Sequence, residues 1–183
     1  MQPYRYQPPA EEEELLENGD PNVMAMDDLA LAKELLHTCT DLYLDQPTGL
    51  GPERVLFHVS NEVEEHQKKE NAMNEWYSVE LKGYLLRPET IESLYILHYV
   101  TGEEEYQEIG WQIFRSINKF CKTKAAYSGL LDVTRTPVAH DNSMQSFFFA
   151  ETLKYLYLLF APNDILNLKE RVLTTEGHIL PIH

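Results

Sequence analysis

Four glutamates stand where a carboxylate has chemical consequences. Glu89 follows Arg87-Pro88 in "YLLRPETIESLYILHYVTG" (84–102), and Glu53 closes "TGLGPE" (48–53). Glu151 lies inside "SFFFAETLKYLYLLF" (146–160), among aromatic and aliphatic residues where an unpaired carboxylate is costly. Glu176 belongs to "TTEGH" (174–178), beside Thr175 and close to His178. Two chemistries use such a set. Glycoside hydrolysis needs one carboxyl group to protonate the leaving oxygen and another to activate water. A cluster of oxygen ligands also suits Ca²⁺, a hard cation that takes carboxylate, carbonyl, hydroxyl and water oxygens. Plainer explanations exist too. After a proline start, a first-turn Glu89 is stabilised by the helix dipole, and Glu151 can pair with Lys154 at i,i+3. Spacing alone leaves these alternatives open.

The elements that must carry these residues are mostly helical. Residues 25–45 place Leu29, Ala32, Leu35, Leu36, Leu42 and Tyr43 at helical spacing, with Asp27 or Asp28 as the N-cap. Pro47 and the following glycines end that helix. A second helix is expected over 88–100, stopped at Thr101-Gly102, and a third over 104–123 after a very short turn. Together they make an antiparallel hairpin. Residues 143–161 are apolar nearly all round and predict a helix buried on every side. The polar stretch 54–82 reads as an exposed loop or insertion, and "KERVLTTEGHILPIH" suggests a small β-hairpin. The length accommodates about three helix pairs.

Composition narrows the function classes. The formal charge of −15 comes from 30 acidic and 15 basic residues, so the basic footprint of a nucleic-acid binder is missing. Part of the excess lies in residues 1–24, an acidic leader expected to be disordered, where Glu11, Glu12, Glu13, Glu14, Glu17 and Asp20 occur without a base among them. No apolar run is long enough to span a bilayer, and the polar, proline-rich start does not read as a signal peptide. The 7 histidines show no HExxH or HxH spacing that would hold zinc. EF-hand, GxSxG, P-loop and Rossmann patterns are also missing, so a calcium site has to be assembled from distant segments. The 11 tyrosines suit a surface that meets sugars, and suit core packing equally well.

In order along the chain, "TGLGPE", "YLLRPETIESLYILHYVTGEEEYQEIGWQIF" (84–114), "YSGLLDV" (127–133), "QSFFFAETLKYLYLLF" (145–160) and "TEGH" (175–178) closely resemble the C-terminal part of the class I α-1,2-mannosidases, glycoside hydrolase family 47. The resemblance covers roughly 25–183. It implies an all-α fold, part of an (αα)₇ barrel closed by a C-terminal β-hairpin. It also implies inverting, Ca²⁺-dependent hydrolysis of terminal α-1,2-linked mannose on high-mannose N-glycans, in the lumen or membrane of the endoplasmic reticulum or Golgi. A mannose-recognising quality-control factor without turnover is the alternative within the family.

Carried over by resemblance, Glu89 matches the general base and Glu53 another acidic residue of the catalytic group. Thr175 matches the threonine that binds Ca²⁺ directly. Glu89, Glu151 and Glu176 would hold the calcium's waters and contact sugar hydroxyls, Arg87 would hydrogen-bond the sugar, and Phe147 would stack beneath it. Thr174, Gly177, Ile179 and Ala126 depart from the usual family residues Asn, Ala, Pro and Gly, none at a ligand position. The family's general acid, a further catalytic Asp and the partner of Cys39 in a disulfide lie upstream of the matched part. The expectation is therefore a C-terminal fragment that is inactive alone.

Overall fold

The computed structural model describes residues 28–58, 76–162 and 165–182. The acidic leader and most of the polar stretch at 59–75 fall outside the described residues. The chain divides into two units, 1–32 and 33–183, and of the first only 28–32 is described. Those residues open helix α1 (Asp28–Leu44), which buries Leu36, Thr40 and Tyr43. Asp28 lies in its first turn, inside the helix, and Asp27 falls outside the described residues.

The polar stretch corrects its expectation at both ends. Strands β1 (Arg54–Phe57) and β2 (Tyr77–Leu81) pair antiparallel, with Val55 opposite Val79 and Phe57 opposite Tyr77. Short runs of β-branched and aromatic residues fit a pleated, half-buried surface, and this outweighs their polar surroundings. Phe57 stacks on Trp76 at 5.7 Å between ring centres.

Helices α2 (Glu89–Thr101) and α3 (Glu105–Phe120) form the expected hairpin. The carbonyl of Pro88 accepts the Glu92 N–H at 2.8 Å, so proline opens α2 from the capping position. Gly102 closes α2 in the left-handed conformation (φ 74°), returning its N–H to the carbonyl of His98. In α3 the buried residues are Tyr106, Gly110, Ile113 and Ile117, a single stripe at helical spacing. Gly110 has a spatial role: a side chain there would collide with Leu159.

Residues 148–160 contain two kinds of helix. A π turn over Phe148–Thr152 runs into helix α4 (Leu153–Phe160), which packs on α2 and α3. Tyr155, Leu156, Leu158 and Leu159 are buried, but Phe149, Tyr157 and Phe160 are exposed. The helix is therefore covered on one side only, although its composition predicted burial all round. Its open side and Trp111 of α3 border an apolar groove of about 520 Å³. Among the described residues there are four α-helices, where about three pairs were expected, because 54–57 and 77–81 supply strands and 122–146 supplies irregular chain.

Strands β3 (Arg171–Leu173) and β4 (Ile179–Pro181) form the expected C-terminal hairpin. The core gathers Tyr84, Leu86, Ile91, Leu94, Ile113, Ile117, Leu130, Phe148, Tyr155 and Leu159, all almost wholly buried. Leu130 anchors the irregular segment through bridges to Tyr84 and His140.

Candidate active site

The segment before α2 is unusually constrained. Leu86 is fully buried and left-handed (φ 63°), a conformation that costs a non-glycine residue about 1–3 kcal/mol. It persists where surrounding contacts over-determine it, and two such contacts are present. Glu53 accepts the Leu85 N–H on Oε1 at 2.8 Å, and Thr152 donates its hydroxyl to the Leu86 carbonyl at 2.6 Å. Arg87 precedes a proline and is thereby confined to extended backbone.

Arg87 then enters a row of charges. Its Nε donates to Glu53 Oε2 at 2.6 Å, while Nη1 stands 4.0 Å from Glu89 Oε1. The hydrogen bond to Glu53 raises the Arg87 pKa, so the guanidinium stays charged. The Glu53 side chain is 12% exposed and that of Glu89 65%, so the first serves as an anchor while the second faces outward. Tyr43, Tyr84, Glu53, Arg87 and Glu89 line a cleft of about 170 Å³. Burial pushes both tyrosine hydroxyls well above their usual range, and the hydroxyl of Tyr84 is buried without a hydrogen-bond partner.

A second cluster centres on Glu151, which the π turn holds at 7% exposure. Its pKa is raised, first by burial and then by the negative charges of Glu176, Glu89 and Glu92, with Lys154 opposing. Two distant segments, the head of α2 and the C-terminal hairpin, thus act on one carboxyl group. Lys154 does not form the alternative i,i+3 ion pair with Glu151 within 4.0 Å. Its ammonium instead reaches the carbonyl of Gly177 at 2.7 Å and ties the hairpin tip to the helix. Gly177 is left-handed (φ 68°), and a β-carbon there would stand 3.2 Å from the Ala150 carbonyl and 3.3 Å from Glu151 Cγ. The tip is therefore pressed against the π turn, with Thr175 and Glu176 exposed and Thr174 half-buried before them. Phe147 is half-buried at the head of that turn.

The profile of the Glycosyl hydrolase family 47 matches residues 12–182. The chain belongs to glycosyl hydrolase family 47. It is 40% identical over 153 residues to human mannosyl-oligosaccharide 1,2-alpha-mannosidase IC, covering 84% of this chain and 22% of that protein. It is 44% identical over 154 residues to the Arabidopsis thaliana enzyme MNS1 of the same description, covering 84% and 25%. Among solved structures, an alpha-1,2-mannosidase from Trichoderma reesei superposes with a TM-score of 0.68 at 30% identity. That match covers 85% of this chain and 33% of the other. The chain thus spans about a quarter of the length of these curated relatives.

In this family 47 chain, the two clusters share Glu89, which faces Arg87 and also raises the pKa of Glu151. Sequence reasoning missed Glu92, Thr152, Tyr155, Tyr43 and Tyr84. Glu92 was recoverable, because it lies at i+3 from Glu89 on the same helical face. Its Oε1 accepts the hydroxyl of Tyr155 at 2.8 Å. Thr152 carried no local signal, since its partner Leu86 is distant in sequence.

Proposed function

We propose that this chain forms the base-bearing part of an α-1,2-mannosidase site acting on terminal α-1,2-linked mannose of high-mannose N-glycans, within the secretory pathway at the endoplasmic reticulum or Golgi. The observation that carries this reading is the packing of the Glu176 hairpin tip against buried Glu151, whose pKa is raised by burial and by the charges of Glu176, Glu89 and Glu92, together with an arginine pinned by Glu53 at the head of α2. Paired carboxyl groups of this kind are the machinery of glycoside hydrolysis.

The proposed roles rest on family resemblance, supported by the placement of the side chains. Glu89, exposed at the head of α2, takes the proton of the attacking water as general base, with inversion at the anomeric carbon. Arg87 and Glu53 form a fixed donor–acceptor pair, Arg87 reaching a sugar hydroxyl while Glu53 keeps its orientation. Glu151 and Glu176 accept from further hydroxyls, and Phe147 supplies an apolar face for the ring. The domain reading, with the mannosidase portion running over 25–183 as part of an (αα)₇ barrel, belongs to the same proposal.

The donors also fit a calcium ion. They are all oxygens, the charges of Glu89, Glu92 and Glu176 act together on Glu151 against a single opposing Lys154, and no group of three His, Cys, Asp or Glu side chains that could itself hold a metal occurs among the described residues. Such a set suits a hydrated hard cation better than a zinc-like one. Thr175 would hold it directly, and Glu89, Glu151 and Glu176 through water; bound, it would offset the carboxylate charge and help orient the sugar.

Within these 183 residues family membership supplies a base and no matching acid, so the purified chain is expected to bind mannosides without releasing mannose. Calorimetric titration with α-1,2-mannobiose, with and without Ca²⁺, tests the site, and release from a high-mannose glycan tests turnover. Absence of calcium-dependent binding overturns the site reading. The alternative of a mannose-recognising quality-control factor would be established by a longer form that binds glycan and never cleaves it. No helix among the described residues is long and apolar enough to cross a membrane.

A further inference from the structure

Threonines inside helices usually turn their hydroxyls back onto the preceding turn of their own helix. In this chain Thr38, Thr40 and Thr101 do so, donating to the carbonyls of Glu34, Leu36 and Leu97. Thr152 departs from that habit. Its hydroxyl is fully buried and crosses to the carbonyl of Leu86, 66 residues away, at 2.6 Å. The π turn accompanies the departure: the carbonyl of Phe148 accepts the N–H of Leu153, five residues on.

The acceptor is an informative choice. Leu86 is left-handed, Arg87 is confined by the following proline, and Pro88 has its own φ fixed by its ring. The orientation of the Leu86–Arg87 peptide therefore sets the direction in which Arg87 and Glu89 leave the loop. Thr152 holds that peptide by its carbonyl, and Thr152 is the immediate neighbour of Glu151. Further along, Tyr155 grips the other end of the segment through Glu92.

We propose that Thr152 is a positioning residue, whose hydroxyl fixes the Leu86–Arg87 peptide and so registers Arg87 and Glu89 against Glu151. Its bearing on catalysis rests on the mannosidase reading above. Its bearing on geometry stands on the bond itself. Thr152 and Tyr155 then have separable effects, the first on the Arg87 end of the segment and the second on the Glu92 end.

The test is hydrogen exchange by NMR on the 183-residue chain, read at the Leu85 amide and the Arg87 Nε–H, both of which bond Glu53. Thr152→Val keeps the shape and removes the donor. Both signals should exchange about tenfold faster while amides of α3 keep their protection. Thr152→Ser should restore parental exchange, and Tyr155→Phe should leave both signals unchanged. Parental exchange in Thr152→Val, uniform acceleration across α3 in that variant, or failure of serine to rescue would each overturn the proposal. Should Thr152→Val not fold, Thr152→Ser decides alone: parental signals support the role and lost protection refutes it. A parallel titration with methyl α-D-mannopyranoside and Ca²⁺ reads the functional assignment separately. If neither binds the parent, the mannose reading fails, while the exchange rates still decide whether Thr152 holds the peptide.

Discussion

Glu53 and Glu151 are both largely buried carboxyl groups of the proposed site, yet their charges are balanced in opposite ways. Glu53 has a guanidinium at 2.6 Å and a backbone N–H at 2.8 Å, so both its oxygens are satisfied from within. Glu151 is surrounded by the charges of Glu89, Glu92 and Glu176, and the nearby cation that opposes them, Lys154, is hydrogen-bonded to Gly177. The first cluster is a closed electrostatic unit that holds a shape. The second carries a surplus of negative charge that invites a cation or a proton, so the site has a fixed half and a responsive half.

Removing the cation ligand should break the contrast most visibly. With Ca²⁺ at 100 times its dissociation constant, binding is expected to stabilise the chain by about 2.7 kcal/mol. Thr175→Ala should abolish that gain in calcium-dependent thermal melts, whereas Glu53→Gln should retain most of it. The next effect belongs to the fixed half. Glu53→Ala leaves the Leu85 N–H and Arg87 without their acceptor, and urea unfolding should show a loss of about 2 kcal/mol.

The responsive half should behave in the opposite sense. Because the pKa of Glu151 is raised in the folded state, its favourable contribution is complete below the ordinary carboxylate value and is lost as pH rises through the raised one. Stability without calcium should therefore fall across that window. Glu151→Gln should flatten the profile and be more stable on its alkaline side by about 1 kcal/mol, measured by urea unfolding at a series of pH values. The smallest change is expected from Lys154→Met. Loss of the bond to Gly177 should cost about 0.5–1 kcal/mol, and the Glu151 carboxyl titration, followed by NMR, should move further upward.

The legible parts of this molecule are those whose causes lie close together in sequence. Pro88 and Gly102 bracket α2 because each acts on its own backbone, and the stripe in α3 declares its buried face within the helix itself. The β3–β4 hairpin surrounds its turn and was equally readable. What stayed hidden depends on distant partners. The ends of 54–82 pair across a long polar insertion, which is why β1 and β2 did not announce themselves. The exposure of Tyr157 and Phe160 depends on what packs against α4, which apolar composition cannot convey. For the site, resemblance singled out Glu89, Arg87, Glu53, Glu151, Glu176, Thr175 and Phe147. The forces that hold several of them were invisible, above all the bond from Thr152 to Leu86.

The π turn has a further consequence, for length rather than for chemistry. It carries its hydrogen bond over five residues instead of four, so it stores one residue more than an α turn would. Deleting a residue from 148–152 would let the helix relax to ordinary spacing without losing a hydrogen-bonded turn. Because the wide turn absorbs its extra residue locally, the residues on either side would keep nearly the same phase around the axis. The turn is therefore the place where this helix can gain or lose a residue without carrying its neighbours out of register.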